Sequence, residues 1–298
     1  MARLIDGKEI AESIYENINL RARELRGRGV IPKLAVVLVG DNQASRLYVN
    51  SKEKRARENG IETEEHHLDG SVAEAQVTEL IKKLNTDDTV HGILVQLPLP
   101  EHMDKLRVLS CISPGKDVDG LHAVNAGALM TGNRGFIPCT PKGILHLVKS
   151  TGIDIAGKRC AVIGRSSLVG KPAALLMLNS DATVTVCHSK TENLGSITKE
   201  ADILISAAGR PKLITADMVK PGAVVIDVGQ NKIDGKWCGD VDFEPVEKIA
   251  GYITPVPGGV GPMTIAMLME NTVEAAENTI VGSVSYTHLR AHETELHL

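Results

Sequence analysis

The sequence predicts an α/β protein of two domains, each a parallel sheet flanked by helices. Three observations carry this expectation. Short apolar runs ending in glycine or proline alternate along the chain with longer amphipathic stretches. Aromatic residues are 2% of the chain against 43% hydrophobic residues, so the core must be built from Val, Ile, Leu, Ala and Met, whose compact side chains let helices sit close on a sheet. A break at PCTPKG, Pro138 to Gly143, separates two such series, and 298 residues suit two domains better than one.

The elements follow in order. Asp6 to Gly29 reads as an amphipathic helix, with Ile10, Ile14, Ile18 and Leu20 set among charges and Gly27 and Gly29 marking its end. KLAVVLVG, Lys33 to Gly40, is a continuous apolar run, the pattern of a buried parallel strand. Ser45 to Gly60 is helical, Ile61 to Leu68 a half-buried strand, and Ser71 to Asn85 helical, with Ser71 as N-cap and Glu74 three residues on. Val90 to Pro100 is a further buried strand stopped by prolines. In the second series Lys158 to Gly164 is a strand, and the residues after Lys171 form a helix with Pro172 in its first turn. Thr183 to Ser189, Ala201 to Gly209 and Gly222 to Gly229 are strands, and Pro262 to about Ile280 is a helix. Residues 284–298 have no apolar period and a cluster of histidines. They resemble translated adapter sequence, and a non-native or disordered tail is expected there.

Composition narrows the function. A formal net charge of −4 with no basic run argues against nucleic acid as partner. The first residues, MARLIDGKEIAES, carry charges where a signal peptide is apolar, and no window approaches a membrane span, so a cytoplasmic protein is expected. The five cysteines form no CxxC pair and the ten histidines no HExxH motif, so thiols in a reducing compartment are expected, and no metal site.

Cys160 to Ser180 reads as strand, Gly-containing turn and helix. Such a turn aims backbone N–H groups and a helix N-terminus at an anion, typically a pyrophosphate. The glycines are Gly164 and Gly170, not GxGxxG, and an unliganded turn remains an open reading. Folds that bind NAD usually end the next strand with an acidic residue on the ribose hydroxyl. Here that strand ends Cys187-His188-Ser189-Lys190, and Arg165 sits in the turn. A guanidinium, a hydroxyl and an ammonium favour a 2′-phosphate, so the residues lean to NADP. Small residues at Ile205 to Gly209 and Asp227 to Gln230 would let backbone approach the nucleotide.

Tyr48 and Lys52 are i and i+4 and share a helix face. Such a lysine can transfer protons if burial or neighbours bring its pKa toward neutrality. Spacing alone favours a solvated face, because Lys54, Arg55 and Arg57 lie on the same helix. Gln96 interrupts an apolar strand, as structural glue or as a site residue. In KDVDG, Asp117 and Asp119 would point to one face of an extended segment, or serve a turn before Gly120. PVPGGVGPMT, Pro255 to Thr264, is too rich in Gly and Pro for a regular element and suits close approach of backbone to a ligand.

Together these stretches resemble the methylenetetrahydrofolate dehydrogenase/cyclohydrolase family. The resemblance rests on VGDNQASRLYVNSK, GILVQLPLP, PGKDVDGLHAVNAG, PCTPKG, VIGRSSLVGKP, CHSKT and PVPGGVGPMT in that order, and spans about residues 2 to 281. It implies two α/β domains with a cleft between them, the second a Rossmann-like nucleotide-binding domain. Residues 1–139 with a returning helix at 262–281 would bind folate, and 140–261 would bind NADP. It implies homodimers through the nucleotide-binding domain. The implied activity is NADP-dependent oxidation of methylenetetrahydrofolate to methenyltetrahydrofolate, then hydrolysis to 10-formyltetrahydrofolate, in one-carbon metabolism supporting purine, methionine and histidine biosynthesis. Carried over by motif, Lys52 would be the general acid/base of the hydrolysis, held by Gln96. Tyr48 would orient the aminobenzoate of the folate, Asp119 would bind the pterin nitrogens, and Pro257, Gly258 and Gly259 would line the folate pocket. Gly164, Arg165, Ser166, Ser189 and Gln230 would contact NADP, with Arg165 and Ser189 on the 2′-phosphate. The family often has an aliphatic residue where Gln230 stands. The competing readings are a dehydrogenase without hydrolase activity, a regulatory NADP-binding protein, and a dehydrogenase of another small substrate.

Overall fold

A computed structural model describes the backbone of residues 1–294 and, apart from Ala44, the side chains of residues 1–280. The tail expected at 284–298 has its side chains, and at 295–298 its backbone, outside the described residues. In chain order the first elements are β1 (Arg3–Leu4), α1 (Gly7–Gly27), β2 (Lys33–Val39), α2 (Gln43–Glu58), β3 (Glu62–Leu68), α3 (Glu74–Thr86), β4 (Gly92–Val95), α4 (Lys105–Ser110), α5 (Ala123–Thr131) and α6 (Cys139–Ser150). Then come β5 (Arg159–Ile163), α7 (Gly170–Leu178), β6 (Thr183–Cys187), α8 (Leu194–Thr198), β7 (Ile203–Ser206), β8 (Val224–Asp227), β9 (Asn231–Ile233), β10 (Lys236–Cys238), α9 (Phe243–Glu247), β11 (Tyr252–Ile253) and α10 (Val260–Thr294).

The chain divides into two units, Met1–Ile14 with Ala123–Met267, and Tyr15–His122 with Leu268–Leu298. The second holds a three-stranded parallel sheet of order β3-β2-β4. Its central strand β2 is buried from Leu34 to Val39, as a continuous apolar run between two neighbours must be. One face packs on α3 through Val77, Ile81 and Leu84, whose helical spacing builds a single stripe. Arg21 on α1 donates twice to the Glu277 carboxylate on α10, at 2.9 and 2.7 Å. The buried Asn271 amide donates to the Val118 carbonyl at 2.8 Å.

The other unit holds a six-stranded parallel sheet of order β1-β11-β8-β7-β5-β6. Strands β7 and β8 are buried throughout, while β6 forms an edge and leaves Thr185 and Val186 exposed. Between β8 and β11 the chain makes an antiparallel hairpin, β9 with β10.

Several local expectations are corrected. Helix α3 starts at Glu74 with Ala73 as its N-cap, and the Gln76 side chain accepts the Ala73 N–H at 3.4 Å. The Ser71 hydroxyl is held instead by Asp69 at 2.6 Å, an acceptor closer in sequence than the helix. Strand β4 keeps only Gly92–Val95 of the run to Pro100, so Gln96 lies just beyond the ladder. PCTPKG opens α6, whose apolar face buries Ile144, Leu147 and Val148. As compact units the chain parts between His122 and Ala123. Residues 1–14 go with the six-stranded unit because β1 pairs with β11 there.

Candidate active site

In the three-stranded unit the chain runs β2, α2, β3 to one side of β2, then crosses through α3 to β4 on the other. The carboxyl ends of β2 and β4 therefore flank a topological switch point, where open α/β sheets form their crevice. Helix α2 starts there because the Asn42 side chain caps it, accepting the Ser45 N–H at 3.0 Å. Tyr48 and Lys52 follow on one face, Tyr48 exposed and Lys52 half-buried. Gln96 stands at the end of β4, fixed by its own N–H to the Val37 carbonyl at 2.9 Å. Its Nε2 donates to the Leu97 carbonyl at 2.6 Å, which leaves Oε1 turned outward. Lys52 Nζ donates to that Oε1 at 2.9 Å across 44 residues of sequence.

Asp119 belongs to the same unit, but the extended segment expected around it is absent. Residues 113–120 form turns in which the Gly120 N–H donates to the Asp117 carbonyl. Asp117 is buried, and its carboxylate accepts the Leu121 and His122 N–H groups at 3.1 and 2.8 Å. The two aspartates have therefore separated, Asp117 holding the turn and Asp119 remaining half-exposed. Proximity to Gly120 was the signal for the turn.

The remaining candidates lie in the six-stranded unit. Counted from β5, five of its strands have the order 2-1-3-4-5, so the switch point lies between β5 and β7. Gly164 ends β5 there with φ +117°, and a Cβ on it would overlap the Ala207 carbonyl at the end of β7. A Cβ on Gly170 would overlap the Gly164 carbonyl, so the first turn of α7 sits directly on the strand-to-helix turn. Only glycine fits either place, which explains a spacing that departs from GxGxxG. The Ser166 hydroxyl accepts the Val169 and Gly170 N–H groups at 3.2 and 3.3 Å, so the start of α7 is already capped. With both lone pairs engaged, that hydroxyl faces any further ligand as a donor.

Arg165 and Ser189 are exposed at the ends of adjacent strands, tied by the Gly164 N–H donating to the Cys187 carbonyl at 2.8 Å. The turn after β6 is closed by His188 and Thr191 with no carboxylate in its bonds. Gln230 is exposed just after β8. In the loop before α10, Pro257 is exposed, Gly258 takes φ +117°, and the Gly259 N–H donates to the Pro255 carbonyl at 2.9 Å.

Two buried carboxylates escaped the sequence reading. Asp227 at the end of β8 accepts N–H groups from Gly229, Asp240 and Val241 at 2.8–2.9 Å. Burial pushes its carboxyl up to about 6, against those three bonds, with neighbouring Asp240 adding to the rise. Asp240 is fully buried and accepts from the loop after β7. An aspartate ending the apolar run VVID was the available signal, since a buried acid must be paired. Among the described residues no cluster of three His, Cys, Asp or Glu could hold a metal ion.

Two parallel sheets, each with polar residues gathered at its switch point and one with a glycine-dependent strand–turn–helix, define an α/β protein with a Rossmann-like nucleotide-binding unit. Residues 138–280 match the family model "Tetrahydrofolate dehydrogenase/cyclohydrolase, NAD(P)-binding domain", and residues 5–119 match its catalytic domain. The chain belongs to the tetrahydrofolate dehydrogenase/cyclohydrolase family. It is 57% identical over 276 residues to the bifunctional protein FolD of an Exiguobacterium species, covering 93% of this chain and 99% of that one. The solved structure of the bifunctional FolD dehydrogenase/cyclohydrolase from Campylobacter jejuni superposes with a TM-score of 0.92 at 50% identity, covering 94% of this chain and all (100%) of that one. The Trypanosoma brucei enzyme, solved with NADP cofactor and inhibitor, gives a TM-score of 0.89 at 39% identity over 94% of this chain and 98% of that one.

Proposed function

We propose that this chain oxidises 5,10-methylenetetrahydrofolate with NADP and hydrolyses the methenyl product to 10-formyltetrahydrofolate, the step that feeds one-carbon units to purine, methionine and histidine synthesis. Family membership and high identity to bifunctional relatives support both activities. The observation that carries the assignment of residues is the Lys52–Gln96 bond at the end of β4.

The nucleotide fits the six-stranded unit. The Gly164–Gly170 turn leaves no room for a Cβ, so backbone comes close to whatever lies at the strand ends. When bound, NADP supplies the acceptor for the hydride. Arg165 and Ser189 hold the 2′-phosphate, where the carboxylate that would repel it is missing from the turn after β6. Ser166 donates its hydroxyl proton to a phosphate oxygen, and Gly164 and Gln230 contact the nucleotide along the strand ends. Hydride transfer itself asks for position rather than for an acid or a base.

Hydrolysis asks for both. Water adds to the cationic methenyl carbon and loses a proton, and a ring nitrogen then gains one. Lys52 serves both transfers, and Gln96, whose oxygen accepts one ammonium hydrogen, aims it. Tyr48 orients the aminobenzoate from the same helix face, and Asp119 accepts from the pterin nitrogens.

Two further assignments complete the reading. The chain pairs with a second copy through the nucleotide-binding unit, where β6 offers an edge with Thr185 and Val186 exposed. It works in the cytoplasm, consistent with five cysteines that form no disulfide. Among the described residues no helix is long and apolar enough to cross a membrane.

The test follows NADPH and methenyl absorbance together, starting from methylenetetrahydrofolate. The wild type should form NADPH and consume methenyl faster than buffer does. Lys52→Ala should still form NADPH while methenyl accumulates. Equal loss of both activities would reduce Lys52 to a binding residue, and no NADPH from the wild type would refute the function.

A further inference from the structure

The chain leaves strands β7 and β8 by two adjacent loops, residues 207–210 and 228–230, whose strand ends are paired Ser206 with Asp227. One side chain reaches both. Asp240 is 0% exposed, although it follows a surface hairpin. Its Oδ2 accepts the Ala208 and Gly209 N–H groups at 2.7 and 3.0 Å and the Ser206 hydroxyl at 3.3 Å. Its Oδ1 accepts the Arg210 N–H and the Asn231 side-chain amide, both at 2.9 Å. Five donors on one carboxylate saturate it.

Asp240 is itself anchored. Its N–H donates to Asp227 at 2.8 Å, and the same carboxylate takes the Gly229 N–H beside Gln230. A Cβ on Gly229 would overlap Asp240, and one on Gly239 would overlap Asp227. Two acids and two glycines thus interlock beneath the strand ends. Three consecutive N–H groups of the first loop turn onto Asp240, and the Ala207 carbonyl that precedes them abuts Gly164 at the switch point.

We propose that Asp240 is the positioning residue that sets both loops for the nucleotide, an inference resting on the assignment of NADP to this unit. Asp240 touches neither substrate nor reacting atoms. It acts by fixing where the Ala207 and Gln230 backbones stand, so its loss falls on nucleotide binding and spares the folate chemistry of the other unit.

Asp240→Asn tests this at constant volume. One oxygen becomes an NH2 group facing donors it cannot accept. The expected result is a rise in the KM for NADP of about 10- to 100-fold, the usual size for a lost bond to a charged group. The KM for methylenetetrahydrofolate, and the hydrolysis of methenyltetrahydrofolate without NADP, should stay within about twofold. A parallel fall in every parameter would make Asp240 a stability residue only and overturn the proposal, as would an unchanged KM for NADP. Asn231→Ala removes one donor and leaves the acid in place. It should raise the KM for NADP about 3- to 10-fold. Should Asp240→Asn not fold, an unchanged KM in Asn231→Ala overturns the proposal. A wild type that does not reduce NADP refutes the assignment of the unit instead, before either variant is read.

Discussion

Asp227→Asn should stabilise the nucleotide-binding unit progressively as pH rises from 4.5 to 7. Burial lifts the Asp227 carboxyl from an ordinary 3.8 to about 6. Between those values the unfolded chain has already released its proton while the folded chain keeps it. Folding is therefore favoured fully below the lower value, and the advantage is lost as pH passes the higher one. At 1.36 kcal/mol for each tenfold change in proton affinity, the whole loss is about 3 kcal/mol. Asparagine has no proton to lose, so it escapes the pH-dependent part. It does put an NH2 group in place of one oxygen among the bonds from Gly229, Asp240 and Val241, which offsets its stability by an amount that does not vary with pH. The slope of the difference, not its absolute value, is the measurement. Asp202, whose carboxyl is held low by the Lys220 ammonium, pulls the other way with pH, but it is common to both proteins and cancels. Urea unfolding of the full chain at several pH values is the assay. The single tryptophan, Trp237 on β10, reports on this unit. A difference that stays flat from pH 4.5 to 7, or a wild type that gains on the variant, would show that the three N–H bonds outweigh burial and that Asp227 is ionised throughout.

Gly170→Ala should weaken the nucleotide site without touching hydrolysis. The new methyl overlaps the Gly164 carbonyl, and relieving that costs about 1–3 kcal/mol of overpacking at the turn. Titration with NADP and a methenyl hydrolysis assay on the same sample separate the two effects, and unchanged NADP affinity would mean that the turn yields freely. The double variant Arg165→Ala with Ser189→Ala should raise the KM for NADP by about two orders of magnitude, from two lost bonds to a phosphate, and that for NAD by far less. Initial rates with both nucleotides measure it, and an unaltered NADP-to-NAD preference would remove these residues from the 2′-phosphate.

What could be read from the sequence divides along a physical line. The strands Lys33–Val39, Arg159–Ile163 and Val224–Asp227 were legible because a parallel strand buried on both faces leaves a continuous apolar run. Tyr48 and Lys52 were legible as one face because helical spacing is local. The role of Asp117 stayed open between an extended segment and a turn, and the Ser71 position was misjudged, because short polar side chains choose among several nearby N–H groups, and packing decides which. Asp240 was missed for a different reason, since its partners come from residues 206–210 and 231, and no local pattern records them.

The same reasoning explains why the site residues matched a family pattern more clearly than they declared a role. A lysine on α2 faces solvent until the chain has passed out to β3 and crossed back to β4, and only that crossover puts Gln96 beside it. Gly164 has no evident need of being glycine until the crossover from β6 to β7 lays the Ala207 carbonyl against it. The winding turns back at β2 in one sheet and at β5 in the other, so each gathers at that point residues roughly 40 apart in sequence, as right-handed strand–helix–strand crossovers require. A polar residue ending an apolar strand is thus informative in proportion to that strand's place in the winding. Gln96 follows β4, the third strand of its sheet, and Ser206 ends β7, the third strand counted from β5; each of these strands completes a switch point, and the chemistry assigned to this chain stands on those two ends.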